Sequence, residues 1–131
     1  MPKPWIDKIT VKLASQTLEA EAEGKLFHKC PCVTGDASHP TKRGRHVIDG
    51  MHPDYTSKKY GVPMDYAMFF YKGQAIHQYH EIIHGVSWPT VRLLRSFSDA
   101  FGSHGCVRLQ KADAKKLFEH SVDKKTIVEV I

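Results

Sequence analysis

Cysteine carries the most nucleophilic of the common side-chain groups once it loses its proton, and the sequence sets one in a place suited to that loss. The run "GSHGCVRL", residues 102–109, puts His104 two positions before Cys106 with Gly105 between them. In extended chain, residues two apart point to the same side. His104 and Cys106 would therefore share a face, while Gly105 lets the backbone bend and a substrate approach closely. A free thiol with a pKa near 8.5 is only about 3% thiolate at neutral pH, and lowering that pKa by two units takes about 2.7 kcal/mol of local stabilisation. A histidine supplies it by ion pairing or by taking the proton. The N–H groups of Gly105 and Cys106 could then face a developing oxyanion. Such an arrangement suits acyl transfer, provided the sulfur lies exposed at the floor of a cleft that accepts a peptide. Cys106 could equally be a small buried hydrophobe, and residue logic leaves nucleophile and spectator both open.

Further histidines lie upstream in "GQAIHQYHEIIHGV", which carries His77, His80 and His84. Their i, i+3, i+7 spacing would share one helical face, and with Cys106 as a fourth ligand they would suit a zinc-dependent hydrolase. The segment reads as strand and loop, however, and offers no carboxylate base beside it. Acyl transfer is the preferred reading, with no metal in the site and no cofactor. His80 reads as a surface or lining residue, and His28, His39, His46, His52 and His120 carry no comparable signal. Cys30 and Cys32, in "KCPCVTG", sit too close in extended chain for an easy bridge and read as strand-packing residues, with a redox or metal role as the alternative.

The elements that must hold these residues are mostly strands. "KITVKL" and "TLEAEAEG" alternate apolar and polar residues, although the second could be helical; after a turn at "EGK", "KLFHKCPCVTG" runs back as a third strand. From Asp36 to Pro63 the chain is rich in Gly, Pro, His, Asp, Ser and Lys, with "RHVID" as its one convincing strand. "DYAMFFY", a Lys72–Gly73 turn and "QAIHQYH" predict a β-hairpin. "PTVRLLRSFSDAFG" predicts a helix, with apolar residues at 91, 94, 97 and 101 on one face. "CVRL" resumes strand, "KADAKKLFEHS" has helical spacing, and "TIVEVI" is a last strand. The fold class is mainly β with two or three short helices.

A length of 131 residues suits one core, so residues 1–131 read as a single domain. With 41% hydrophobic and 25% charged residues, the composition is that of an ordinary soluble protein. The net charge of +5 is scattered, without the aromatic and basic stripe of a single-strand binder, so nucleic acid is not an expected partner. A mild basic balance fits a solvated surface or attraction to an anionic envelope polymer. No apolar run reaches the ~18 residues of a membrane span, and "MPKPWIDKITVKL" lacks the apolar core of a leader. The expectation is a cytosolic chain, a mature form or one exported without a leader, and a monomer.

"SHGCVRL" resembles the signature of the L,D-transpeptidase catalytic domain family. The likeness extends to "VTGDASHPTKRGRHVI", similar to the family's Thr-Gly and Thr-x-x-Gly region, to "YGVPMDYAMFFYKGQAIH", similar to its strand pair ending in Ile-His, and to "DAKKLFEHSVDKKTIVEVI", similar to its closing helix and strand. The resemblance implies a β-sandwich-like catalytic domain with its nucleophile at Cys106 and its signature residues at Ser103, His104 and Gly105. Arg108 falls where the family supports the site or an anionic substrate group; a surface or structural salt bridge is the alternative. The family's Ile-His-Gly aligns with His77, leaving 25 residues before Ser103, or with His84, which keeps the following glycine and leaves 18. The hairpin context favours His77 as base, and the extra residues then form an inserted lid containing the helix after Pro89. Lys42 and His46 depart from the usual proline and aromatic of the Thr-x-x-Gly turn.

The activity so implied is that of a peptidoglycan transpeptidase: Cys106 forms a thioester with a stem tetrapeptide and releases the terminal D-amino acid. Cross-linking, exchange or hydrolysis (L,D-carboxypeptidase action) follows. The site of action would be the cell envelope or periplasm, as a resident enzyme or as a toxin delivered there. A catalytically dead wall-binding module is the remaining alternative.

Overall fold

The structure, a computed structural model, describes residues 3–57, 61, 63–81, 85–94 and 105–131. Strands β1 (Lys8–Lys12), β2 (Thr17–Ala22) and β3 (Lys25–Pro31) form an antiparallel meander. Glu23 and Gly24, the turn between β2 and β3, have φ of 53° and 75°, the pair of positive values that a tight hairpin matching the strand twist needs. "TLEAEAEG" is a strand and not a helix, because its apolar residues Leu18, Ala20 and Ala22 fall on a buried face while its glutamates meet lysines across the ladder. Lys8 reaches Glu21 at 3.4 Å and Lys12 pairs with Glu19, holding the Glu19 carboxyl below its ordinary range.

Strand β4 (Gly44–Val47) and a last strand, β9 (Ile127–Val130), complete this first sheet in the order β3-β2-β1-β9-β4, with β9 parallel to β1 and antiparallel to β4. The second sheet has the order β5-β6-β7-β8, from β5 (Met51–Thr56), β6 (Pro63–Tyr71), β7 (Gln74–Gln78) and β8 (Val107–Leu109). Lys72 and Gly73 form the predicted hairpin turn between β6 and β7, with φ of 36° and 82°. Strand β5 corrects the expectation of loop between "RHVID" and Pro63. Its Pro53 and Asp54 disguise it, and both are tolerated because β5 is an edge strand whose outer side needs no partner.

Helix α1 (Trp88–Leu93) opens at the expected proline, its first turn capped where the Trp88 N–H donates to the Glu81 carboxylate at 3.0 Å. The predicted helix was longer, but α1 closes at Leu94, which is exposed; residues 95–102 of that expectation lie outside the described residues. Helix α2 (Lys111–His120) matches its predicted span and turns Ala114 and Leu117 inward. These two meet Ile9, Val11 and Leu18 of the first sheet and Ile76, Val107 and Leu109 of the second in one apolar core. The class is mainly β with two helices among the described residues, as the residue pattern predicts.

Leu117 is wholly buried where α2 meets the core. Leu117→Ala is expected to cost about 2–5 kcal/mol through lost burial and the cavity left behind, read as a lowered midpoint in denaturant unfolding.

Candidate active site

Cys106 immediately precedes β8, and Ala75 of β7 lies beside it: the Ala75 N–H donates to Sγ at 3.4 Å, and the thiol faces the Gly73 carbonyl at 3.8 Å. The β6–β7 turn thus grips the sulfur from one side. Met64, Ala67 and Ala75 pack around it and leave Cys106 5% exposed. This corrects the expectation of an exposed, readily ionised sulfur. Burial raises the thiol to about 11, against smaller lowering effects from the Ala75 N–H and the Arg108 charge.

β7 and β8 run parallel with Ile76 opposite Val107, His77 opposite Arg108 and Gln78 opposite Leu109. Paired residues in a sheet share a face, and faces alternate along a strand. Ile76, Val107 and Leu109 therefore point into the core, and Ala75, His77, Cys106 and Arg108 point to the other side. His77 lies diagonal to Cys106 across the β7–β8 pair, a relation in which side chains start roughly 7–8 Å apart, within reach of a ring the size of imidazole. His77 is 1% exposed, and its Nδ1 lies 2.8 Å from the Gln78 carbonyl oxygen. A carbonyl only accepts, so Nδ1 carries a proton and Nε2 is the acceptor nitrogen of the neutral ring.

Gly105 has φ +93°, a conformation that side chains resist, and a Cβ there would collide with the amide of Gln74. Its carbonyl accepts from Thr41 Oγ1 at 2.9 Å, and Thr41 Oγ1 in turn accepts from the Gly35 N–H at 2.9 Å. Gly35 has no room for a side chain either, since a Cβ would stand 2.7 Å from the Gly105 Cα. Gln74 fastens the same loop, accepting from the Lys42 N–H at 2.9 Å and donating to the Pro40 carbonyl at 3.0 Å. Beside these contacts, residues including Thr34, Gly35, Pro40 and Thr41 line a cleft of about 630 Å³. Gln74 was not identified from sequence, and Gly35 only as part of the Thr-Gly stretch. A glutamine after a hairpin turn has no distinctive signal, whereas Thr41 lies in the Thr-x-x-Gly stretch.

Arg108 is not a surface residue: it is fully buried, with its guanidinium 5.2 Å from the Tyr79 ring centroid. Its backbone bonds in both directions with Val33 at 3.0 and 2.9 Å, fixing the free side of β8. The helical face that would gather His77, His80 and His84 into a zinc site does not form, because His77 lies in a strand and His80 just beyond it. Three positions apart in extended chain, those two point in opposite directions, and His80 instead stands 3.5 Å from the Asp65 carboxylate. His84, Ser103 and His104 lie outside the described residues, as do residues 82–84 and 95–102 of the stretch expected to carry the lid.

Comparison with known proteins gives the family of this two-sheet fold. The L,D-transpeptidase catalytic domain (YkuD) profile matches residues 6–130, and the chain belongs to that family. An L,D-transpeptidase from Stackebrandtia nassauensis is 33% identical over 95% of this chain and 54% of its own, with a TM-score of 0.76. A mutant L,D-transpeptidase from Enterococcus faecium is 24% identical over 100% of this chain and 50% of its own, TM-score 0.74. One from Mycobacterium smegmatis is 17% identical over 96% and 59%, TM-score 0.72. The chain thus spans between half and three fifths of the length of these structures. A comparison with curated proteins finds no match.

All three thiols are buried and held protonated: burial raises Cys106 to about 11 and Cys32 to about 12, from an ordinary value of 9.0, and raises Cys30 further. Above pH 9 the unfolded chain loses thiol protons that the folded one keeps. Stability is therefore full below about pH 9 and falls as pH rises toward 11, by about 1.4 kcal/mol per pH unit for each thiol. Unfolding midpoints measured from pH 8 to 11 are expected to show this fall, and Cys106→Ala to flatten it by one thiol's share.

Proposed function

We propose that the protein is a peptidoglycan L,D-transpeptidase acting through a thioester on Cys106, with His77 as its general base. The observation that carries this reading is the His77 Nδ1 bond to the Gln78 carbonyl, made on the sheet face and adjacent strand that also hold Cys106. The bond fixes the tautomer in which Nε2 accepts a proton. A thiol at about 11 is costly to ionise at neutral pH, by about 5 kcal/mol, so the proton must move to a base as the sulfur attacks.

In the first half-reaction Sγ bonds to the carbonyl carbon of the third residue of a stem tetrapeptide, and the thiol proton passes to His77. The C–N bond to the terminal D-amino acid breaks, and its amine leaves with the proton from the imidazolium. In the second, an amine of another stem, a free D-amino acid or water attacks the thioester and gives its proton to the imidazole. The C–S bond breaks and the thiol regains its proton. These outcomes are cross-linking, exchange and L,D-carboxypeptidase action.

The N–H groups of Gly105 and Cys106 stabilise the oxyanion, which is why the positive φ of Gly105 and its anchoring by Thr41 matter. From the signature alone, Ser103 is assigned to substrate contact and His104 to a second proton carrier. Arg108 acts from within the fold, its buried charge favouring the thiolate. The family's substrate makes the cell wall the place of action. No helix among the described residues is long and apolar enough to cross a membrane.

Incubation with tetrapeptide stems, followed by mass spectrometry, is expected to show release of the terminal D-alanine and an acyl adduct on Cys106. Cys106→Ala abolishes both, and His77→Ala slows adduct formation about 10²–10⁴-fold. Loss of the adduct in His84→Ala with retention in His77→Ala would assign the base to His84 instead.

A further inference from the structure

A second cysteine outside the active site has polar neighbours. His28 and Cys30 stand two apart on β3 and so face the same way, and Asp113, in the first turn of α2, comes over them. One donor atom from each of the three lies within 4.8 Å of the others, and His28 Nε2 is 2.8 Å from Asp113 Oδ1. Cys30 is 4% exposed, and its thiol makes no hydrogen bond among the described residues. The side chains of His28 and Asp113 are each 19% exposed, so they form a rim open to solvent above the buried sulfur.

An ion pair between His28 and Asp113 accounts for those two side chains alone. It leaves unexplained why a buried thiol, not an aliphatic group, stands against a carboxylate. We propose that His28, Cys30 and Asp113 form a binding site for a divalent transition-metal ion of the zinc class. The set has one nitrogen, one sulfur and one oxygen donor, the ligand types zinc takes, and a thiolate disfavours magnesium and calcium. Bonds of about 2.0–2.3 Å to a tetrahedral ion put donors roughly 3.5 Å apart, so the His28–Asp113 pair must open by about 0.7 Å and the widest separation close by about 1 Å, within reach of side-chain rotation. Water entering over the rim completes the fourth position. On binding, the Cys30 proton leaves to solvent, and the imidazole–carboxylate hydrogen bond is exchanged for bonds to the ion.

The ion would tie β3, an edge of the first sheet, to α2, which follows β8 with only Gln110 between them. Its role is to brace the element behind the nucleophile strand, and it takes no part in acyl transfer. The site does not rest on the proposed function.

The test uses cobalt(II) as a spectroscopic probe and zinc(II) as competitor. In the Cys32→Ala/Cys106→Ala protein, Cys30 is the one remaining thiol. One equivalent of cobalt is expected to produce a sulfur-to-metal charge-transfer band, which zinc abolishes, and zinc should raise the melting temperature. Cys30→Ser removes the band, and His28→Gln and Asp113→Asn each weaken binding at least tenfold. Should the double variant or Cys30→Ser not fold, the comparison of wild type with Asp113→Asn, a change at the solvent rim, carries the same decision. Absence of the band in folded protein, or binding that Asp113→Asn and His28→Gln leave unchanged, overturns the proposal.

Discussion

The parallel pairing of β7 with β8 brings His77 and Cys106 together across 28 intervening residues, and it does so through register. A slip of one residue in either strand would send the imidazole and the thiol to opposite faces. What prevents the slip lies on the other side of the sheet, where Ile76, Val107 and Leu109 are sealed in the core and would be exchanged for polar groups such as Arg108. The Val33 bridge to Arg108 adds a clamp on the outer side of β8, a strand of only three residues. The geometry of the candidate site is thus a by-product of apolar packing on the opposite face.

The same burial sets the chemistry. A thiol enclosed by Met64, Ala67 and Ala75 resists ionisation, so the attack proposed for Cys106 calls for a base that takes the proton as the bond forms. This places weight on the orientation of His77 and less on the charge around the sulfur. The strand carbonyl of Gln78 supplies that orientation from the main chain. A backbone acceptor of this kind is independent of side-chain identity, and nothing in a residue string announces it.

β1 and β2 could be read from period-two alternation, because each has one face buried in the core and the other partly open to solvent. The hairpin at Lys72–Gly73 and the helix Lys111–His120 were legible for similar reasons: a short turn with glycine, and apolar residues at helical spacing. β5 was not, since an edge strand with Pro53 and three exposed residues in its middle carries no alternation to detect. The nucleophile candidate stood out because Cys106 sits in a compact signature. The contacts of Gln74 and Gly35 with the Gly105 turn did not, because they join positions 31 and 70 residues apart whose types are ordinary. Burial of Arg108 was equally illegible, as an arginine in a strand reads the same whether its stem is covered or bare.

The strand order of the first sheet shapes how the fold can be reached. β9 inserts between β1 and β4, so two strands made early are left with open ladders until the segment 127–130 emerges and docks. Contacts of such long sequence separation slow folding, because loop closure must precede the contacts that reward it. During synthesis the meander can assemble by itself, but the sheet is joined to β4 only late. Until then the exposed edges invite pairing with other chains, which makes this interval the one in which the nascent protein is most open to aggregation or to assistance.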